Sequence, residues 1–338
     1  MSHENFESAM RRALELALLG PAWGVNPQVG CVILDADGQI IAEGWHRGAG
    51  TAHAEVDALS KLAAVPAGAT AVVTLEPCNH TGRTGPCAQA LIAAGVSRVV
   101  FATSDPGATS GGGAKTLSDA GVEVIGGVLE SEASEQNRVW LTAHRLQRPY
   151  VTLKWASSID GRAAANDGTS KWISGEESRA DCHKMRSEVD AILVGTGTVL
   201  ADDPELTARK SNGELYEHQP MRVVVGNREI PADARVLNDR AETVQLRTHS
   251  IHGILAALWQ EGIKHVLIEG GPMVASQFVR LGLADQFIFY LAPMLLGGSR
   301  TAIRELGIES MTEAKHLDFV EIKPLGGDIF VRAVPRSA

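Results

Sequence analysis

Apolar residues near the start of the chain fall at helical spacing. Ala9, Ala13, Leu14, Leu16, Ala17 and Leu18 are interrupted by Glu and Arg, which predicts an amphipathic helix rather than a signal peptide. The period then shortens. Gly30–Leu34 and Ile40–Gly44, on either side of a turn at Asp37-Gly38, read as strands. His53–Ala64 returns to an Ala/Leu-rich helical pattern. Ala71–Leu75 is apolar and β-branched throughout, so it reads as a buried strand, ended by Glu76-Pro77. Pro86 suits the first turn of a helix through Ala88–Ala94 that stops at Gly95. Val96–Ala102 reads as a strand, Ser104–Ala114 as a loop with four glycines, Lys115–Ala120 as a helix and Gly121–Ile125 as a strand. Residues 130–147 form one charged helix, which Arg148-Pro149 interrupts. A second alternation starts at Tyr150–Trp155 and continues through strands at Asp190–Gly195, Met221–Val225, His265–Glu269 and Asp285–Leu291.

Such alternation predicts α/β architecture, sheets covered by helices, in both halves. A chain of 338 residues exceeds one ordinary core and suits two domains, here 1–147 and 148–338. There is no internal repeat. Apolar content of 44% and charged content of 21% describe an ordinary soluble protein, and the formal charge of −9 argues against nucleic acid as a partner. No run approaches 18 apolar residues, so no membrane span is expected. Without a secretory leader, Cys31, Cys78, Cys87 and Cys182 read as thiols and ligands, and a cytoplasmic location is expected.

Candidate chemistry concentrates in His53-Ala54-Glu55, Pro77-Cys78 and Cys87. One imidazole and two thiolates supply three protein ligands to a tetrahedral Zn²⁺ and leave its fourth position open, the layout of a catalytic site. Glu55, two residues from the His, is not a ligand but is placed to move protons. His-x-Glu followed by Pro-Cys and a second Cys is the pattern of zinc nucleobase deaminases, whose cysteines usually lie two residues apart. Here eight residues, Asn79 to Pro86, separate them. Cys78 falls at a strand's carboxyl end and Cys87 at a helix N-terminus, where the dipole favours a thiolate. The insert carries His80 and Arg83. It is either a specificity loop beside the metal, with Arg83 offering a fork of donors, or a solvated surface loop.

Asn26-Pro27-x-Val29-Gly30, His53-Ala54-Glu55-Val56 and Thr74-Leu75-Glu76-Pro77-Cys78-x-His80-x-Gly82-Arg83-Thr84-x-Pro86-Cys87 resemble the deaminase half of the bifunctional riboflavin-biosynthesis deaminase/reductases. In that family the long cysteine spacer is normal. The resemblance implies a cytidine-deaminase-like α/β/α domain that removes the 2-amino group of 2,5-diamino-6-ribosylamino-4(3H)-pyrimidinone 5′-phosphate. It also implies substrate contacts from Asn26, His46, His80 and Arg83. One departure stands out. Where the family usually has Asp-Pro-Asn-Pro, this chain has Asp105-Pro106-Gly107-Ala108, so a side-chain contact is missing at Gly107.

The second half lacks a dinucleotide fingerprint. Gly195-Thr196-Gly197 follows a strand, but Leu200 occupies the place of the third glycine. Glu269-Gly270-Gly271-Pro272 joins a strand to a helix, either as a phosphate cradle or as a plain tight turn. Lys154-x-Ala156-x-Ser158-x-Asp160-Gly161-Arg162, Ser170-x-Trp172-Ile173, Asp202-Asp203-Pro204-x-Leu206-Thr207-x-Arg209 and Ala292-Pro293-x-Leu295-Leu296-Gly297-Gly298 resemble the reductase half of the same family. The resemblance implies a dihydrofolate-reductase-like α/β domain that uses NADPH to reduce the ribosyl group to ribityl. Cofactor contacts would come from Ala156, Trp172, Thr198, Asp202 and the helix start Gly271, Pro272, Met273, Val274, Ala275, Ser276 and Gln277. Substrate contacts would come from Lys154, Ser170, Arg186, Leu206, Arg209 and Glu269. Gly226 stands where an Asp is common.

Two rival readings are a free-base or nucleoside deaminase fused to an unrelated reductase, and a structural zinc site beside a nucleotide-binding module. Glu55 speaks against the second, since a structural site has no use for an acid/base beside the metal. A small-molecule substrate and a homodimer are expected.

Overall fold

The computed structural model describes residues 3–80, 85–107 and 109–336. The chain divides into two compact units, Met1–Gln147 and Arg148–Ala338.

The first unit is built on five strands, β1 (Gly30–Leu34), β2 (Ile40–Trp45), β3 (Thr70–Leu75), β4 (Arg98–Thr103) and β5 (Glu123–Ile125), in the order β2-β1-β3-β4-β5. β1 is antiparallel to β2 and β3, and β3, β4 and β5 are parallel. Helices are α1 (His3–Ala17), α2 (Ala54–Leu59), α3 (Cys87–Ala93), α4 (Gly113–Asp119), α5 (Glu130–Gln136) and α6 (Arg138–Leu146). Every residue of β3 is buried because both sheet faces are covered, which explains its unbroken apolar run. Ile33, Ala71, Val73 and Val99 pack with Ala54, Ala58, Leu91 and Leu117. Val32, Val72 and Val100 point the other way, onto Phe6, Met10 and Ala13 of α1 and Ala133 of α5.

Three elements differ from the pattern. Leu18 lies beyond the end of α1 and is exposed. The helix expected to Ala64 stops at Leu59, where the chain tightens through bonds from Lys61 N–H to the Ala58 carbonyl and from Leu62 N–H to the Leu59 carbonyl. The single helix expected over 130–147 is two, because Asn137 leaves helical geometry. Its Oδ1 accepts from Gln28 N–H at 3.0 Å and its Nδ2 donates to the Gln28 carbonyl at 2.8 Å.

The second unit carries eight strands, β6 (Tyr150–Ser158), β7 (Ala191–Gly195), β8 (Met221–Val225), β9 (Thr243–Leu246), β10 (His265–Ile268), β11 (Gln286–Ala292), β12 (Leu317–Leu325) and β13 (Asp328–Pro335). Their order is β12-β13-β11-β6-β10-β7-β8-β9. The run from β11 to β9 is parallel, β13 is antiparallel to β11, and β12 is antiparallel to β13 and so points the same way as the run. Helices are α7 (Glu176–Arg186), α8 (Thr196–Asp202), α9 (Ile251–Gln260) and α10 (Pro272–Arg280). Leu153, Leu193, Val223 and Ile268 pack against Leu255, Leu258 and Phe278, while Ile192, Val194, Val224 and Leu267 pack against Val199, Leu206 and Val236. A parallel sheet buried on both faces leaves the carboxyl ends of its strands as the place for a site.

Candidate active sites

In the first unit, α2, the end of β3 and α3 deliver His53, Cys78 and Cys87 to one point. His53 Nδ1 lies 3.5 Å from Cys78 Sγ and 3.2 Å from Cys87 Sγ, and the three donor atoms are all within 4.8 Å of one another. Those separations suit ligands sharing one tetrahedral zinc at about 2.0–2.3 Å from each, so the donor set fits the metal in chemistry and spacing. The thiols are not equivalent. A hydrogen bond from Cys87, with further ones from the Cys87 N–H and His53, pulls Cys78 down to about 4. The hydrogen bond it gives Cys78 and its own burial push Cys87 up. The start of α3 therefore favours a thiolate at Cys78, across the gap, rather than at Cys87 itself.

Glu55 is buried one residue inside α2 and its carboxyl sits against the Cys87 thiol. Burial raises its pKa above the ordinary carboxylate range. His53, Glu55 and Cys78 line a cavity of about 260 Å³ that also takes in Asn26, His46 and His80. Asn26 Nδ2 is 2.8 Å from His46 Nε2, and the His46 and His53 rings meet edge to face at 5.3 Å. Burial lowers the pKa of His46. His80 has its Nδ1 buried with no hydrogen-bond partner among the described residues. Arg83 lies outside the described residues.

Sequence reasoning missed several cavity residues. Trp140 and His144 line it from one face of α6, their rings 4.2 Å apart, with Trp140 Nε1 donating to the Val25 carbonyl at 3.0 Å. Their i, i+4 spacing was the available signal. Asp105, Thr109 and Ser110 line another wall. Buried Glu76 holds that wall's loop by accepting from the N–H groups of Asp105 (3.2 Å), Gly112 (3.2 Å) and Ala114 (2.9 Å).

In the second unit the central strand β10 ends at Glu269, a buried carboxylate. Arg186, at the end of α7, grips it with two hydrogen bonds of 2.6 and 3.0 Å, and Lys154 of β6 stands 3.6 Å away. Burial opposes ionisation of Glu269, but Arg186 and Lys154 outweigh it and hold the carboxyl far below its usual range. Cys182 donates to the same carboxylate at 3.5 Å. Leu206 is buried with a positive φ of 56°, and the next carbonyl, that of Thr207, accepts from Arg186 at 3.0 Å. Arg209 pairs with buried Glu205 at 2.7 Å, and Glu205 also receives Arg235 (3.0 Å) and Arg240 (2.8 Å).

The expected cofactor residues fall into two groups. The starts of α8 and α10 lie side by side, tied by Gly271 N–H donating to Thr198 Oγ1 at 3.2 Å. Helix N-termini brought side by side, with their positive dipole ends together, suit a pyrophosphate. Met273 is exposed there, whereas Ala275 is buried and Ser276 spends its hydroxyl on the Pro272 carbonyl (2.6 Å) and Arg304 N–H (2.8 Å). Val274 packs under Gly195 and Gly270, and Gln277 is half-buried. Ala156 lies on β6, Asp202 is exposed at the end of α8, and Ser170 is half-buried. Trp172 is exposed beneath the Arg179 guanidinium, 4.6 Å away. Gly226 has φ of 122°, and a Cβ there would meet Thr196 Oγ1 at 2.8 Å, so the Asp common at this position does not fit.

Residues 3–103 match the cytidine and deoxycytidylate deaminase zinc-binding region, and residues 149–331 match the RibD C-terminal domain. The riboflavin biosynthesis protein RibD of Mycobacterium tuberculosis is 50% identical over 312 residues, covering 92% of this chain and 91% of its own. The structure of Acinetobacter baumannii RibD superposes with a TM-score of 0.92 at 38% identity, covering 99% of this chain and 100% of that one. A Thermotoga maritima diaminohydroxyphosphoribosylaminopyrimidine deaminase/5-amino-6-(5-phosphoribosylamino)uracil reductase superposes with a TM-score of 0.88 at 34% identity, covering 99% of each chain.

Proposed function

This chain belongs to the RibD family of bifunctional riboflavin-biosynthesis enzymes, and from that premise we propose how its residues divide the work. The enzyme is a deaminase and a reductase that uses Zn²⁺ and NADPH. Relatives that match along both halves leave no room for an unrelated reductase in the second. We assign deamination to residues 1–147 and reduction to residues 148–338.

The observation that carries the first assignment is the approach of His53, Cys78 and Cys87 beside a buried Glu55 that lines a cavity. Zinc, when bound, brings the pKa of a water it holds to roughly 7. Glu55 takes one proton of the attacking water and gives it to the ring nitrogen, then takes the second from the added hydroxyl and passes it to the departing 2-amino group, so that water and the amidine carbon yield a carbonyl and ammonia. Burial pushes its pKa up from the ordinary carboxylate value, the direction wanted in a group that must both accept and return a proton. Asn26, His46 and His80 orient the pyrimidine, and Arg83 is assigned to its phosphate.

For the second step NADPH supplies hydride to C1′ of the ribosylamino group. The helix starts near Thr198 and Gly271 would hold the cofactor's pyrophosphate, with Ala156, Trp172 and Asp202 as further cofactor contacts. Lys154, Arg186 and Glu269 act as one unit. Both Glu269 oxygens are taken by Arg186, so the cluster presents net positive charge and the Lys154 ammonium to the oxygens of the sugar phosphate. Arg209, Ser170 and Leu206 complete that wall.

We further propose a homodimer. The edge strand β12 exposes Phe319 (67%), Val320 (43%) and Ile322 (57%), an apolar margin that calls for a cover. The charge of −9 favours a small-molecule partner over nucleic acid. The four cysteines are unpaired, which fits a cytoplasmic setting, and no helix among the described residues is long and apolar enough to cross a membrane.

The test is NADPH oxidation by zinc-loaded protein given the diaminopyrimidine ribosylamino phosphate alone. Ammonia release with NADPH oxidation is expected. Ammonia without oxidation would remove the second assignment, and neither product would remove both.

A further inference from the structure

Gly107 is a glycine for want of space. Its φ lies outside the left-handed region, so the backbone itself would accept any residue. A Cβ at this position, however, would fall inside the contact distance of Ser110 Oγ and 3.0 Å from Asp105 Oδ1. The Ser110 hydroxyl thus occupies the space that the first atom of a side chain at 107 would need.

Ser110 is fixed from several directions. Its carbonyl accepts from Asn79 N–H at 2.8 Å, next to the ligand Cys78. Its hydroxyl bonds the Asp105 carboxyl, which also accepts from Gly107 N–H at 2.8 Å, and Asp105 N–H is in turn held by Glu76. Both Asp105 and Ser110 line the cavity that contains His53 and Glu55. A hydroxyl whose hydrogen goes to a carboxylate keeps its oxygen lone pairs for a donor on a ligand.

We propose that Ser110 is a specificity-determining residue of the deaminase cavity, its oxygen accepting a hydrogen bond from an amine N–H of the pyrimidine while Asp105 holds its hydrogen. It stands in for the side chain that position 107 lacks, and the two are mutually exclusive in space. The inference rests on the deaminase assignment above.

The experiment is a reciprocal exchange in the full-length zinc-loaded protein, read as KM and kcat for ammonia release. Ser110→Ala should raise KM about tenfold, the loss of one net hydrogen bond, with kcat nearly unchanged. Gly107→Asn alone should raise KM similarly by driving the hydroxyl away. The double variant Gly107→Asn/Ser110→Gly should return KM to within about threefold of the parent, a recovery that independent sites do not give. Zinc content and NADPH oxidation with the deaminated intermediate report whether each variant is folded. An unchanged KM in Ser110→Ala, single effects that simply multiply in the double variant, or loss of zinc from Ser110→Ala would each overturn the proposal. A parent protein that releases no ammonia would instead overturn the deaminase assignment, and this inference with it.

Discussion

Asn26 Nδ2 stands 2.8 Å from His46 Nε2, while the opposite ring nitrogen is 3.0 Å from the Ala52 carbonyl. A carbonyl can only accept, so Nδ1 carries the proton and Nε2 receives one from Asn26. Burial lowers the pKa of His46, so the ring enters the cavity neutral at pH 7. Asn26→Asp would reverse this by facing Nε2 with a carboxylate. We expect the His46 pKa, followed by NMR titration, to rise and the KM for deamination to increase about tenfold with zinc retained. A His46 pKa that does not move would exclude the assigned pairing.

Glu55→Gln removes the proton carrier without removing a ligand. Ammonia release should fall by about 10²–10⁴-fold while zinc content stays at the parental value. NADPH oxidation with the already deaminated intermediate should persist. Retained deamination would sink the role assigned to Glu55.

Zinc binding should release fewer protons than two ordinary thiols would give. The hydrogen bonds Cys78 receives favour its thiolate, while burial and the bond it gives push Cys87 up, so the pair is expected to share one proton in the metal-free site. Calorimetry at pH 8 in buffers of different ionisation enthalpy should therefore find about one proton released from the thiols on adding zinc to chelated protein. Release of about two would show that the sulfurs do not share a proton.

His183 makes the second unit acid-sensitive. Burial, with Arg186 and Arg209 adding to it, pulls the imidazole down from 6.5 to about 4. Its folded pKa lies below the unfolded one, so between these values the unfolded chain binds more protons. Stability is thus whole above pH ~6.5 and declines as pH falls toward 4, by about 1–2 kcal/mol once solvent screening is allowed for. His183→Gln should flatten denaturation midpoints across that window. An equal slope in parent and variant would assign the acid sensitivity elsewhere.

Gly226→Asp, which restores the residue common at that place, should destabilise. A φ of 122° and the approach of Thr196 Oγ1 to 2.8 Å of a Cβ both oppose it, at a cost of about 1–3 kcal/mol. A fall of several degrees in the melting temperature of the reductase unit is expected. An unchanged melt would mean that the β8 turn relaxes around the side chain.

Strands buried on both faces were legible because burial writes itself as an unbroken apolar run, as in β3 and β7. β9 is four half-buried residues at a sheet edge, and β12 is mostly exposed, so neither has an apolar code to read. That His53, Cys78 and Cys87 would meet was legible because their residue types are rare and their order is specific. Asp105, Ser110, Trp140 and His144 were not, since each is ordinary in its own segment. Only the folding of α6 and the 105–114 loop onto Gln28 and Glu76 carries them to the cavity. The break at Asn137 escaped for the same reason, because its partner is 109 positions away.

The three residues proposed as zinc ligands come from segments 25 and 34 positions apart in sequence, measured from His53 to Cys78 and to Cys87. An ion that joins them closes two chain loops at once and stiffens the ensemble as a covalent staple would, removing freedom the unfolded polypeptide otherwise keeps. The ion that would serve the chemistry would thus also serve the fold, tying the entry to α2, the end of β3 and the start of α3 into one clasp.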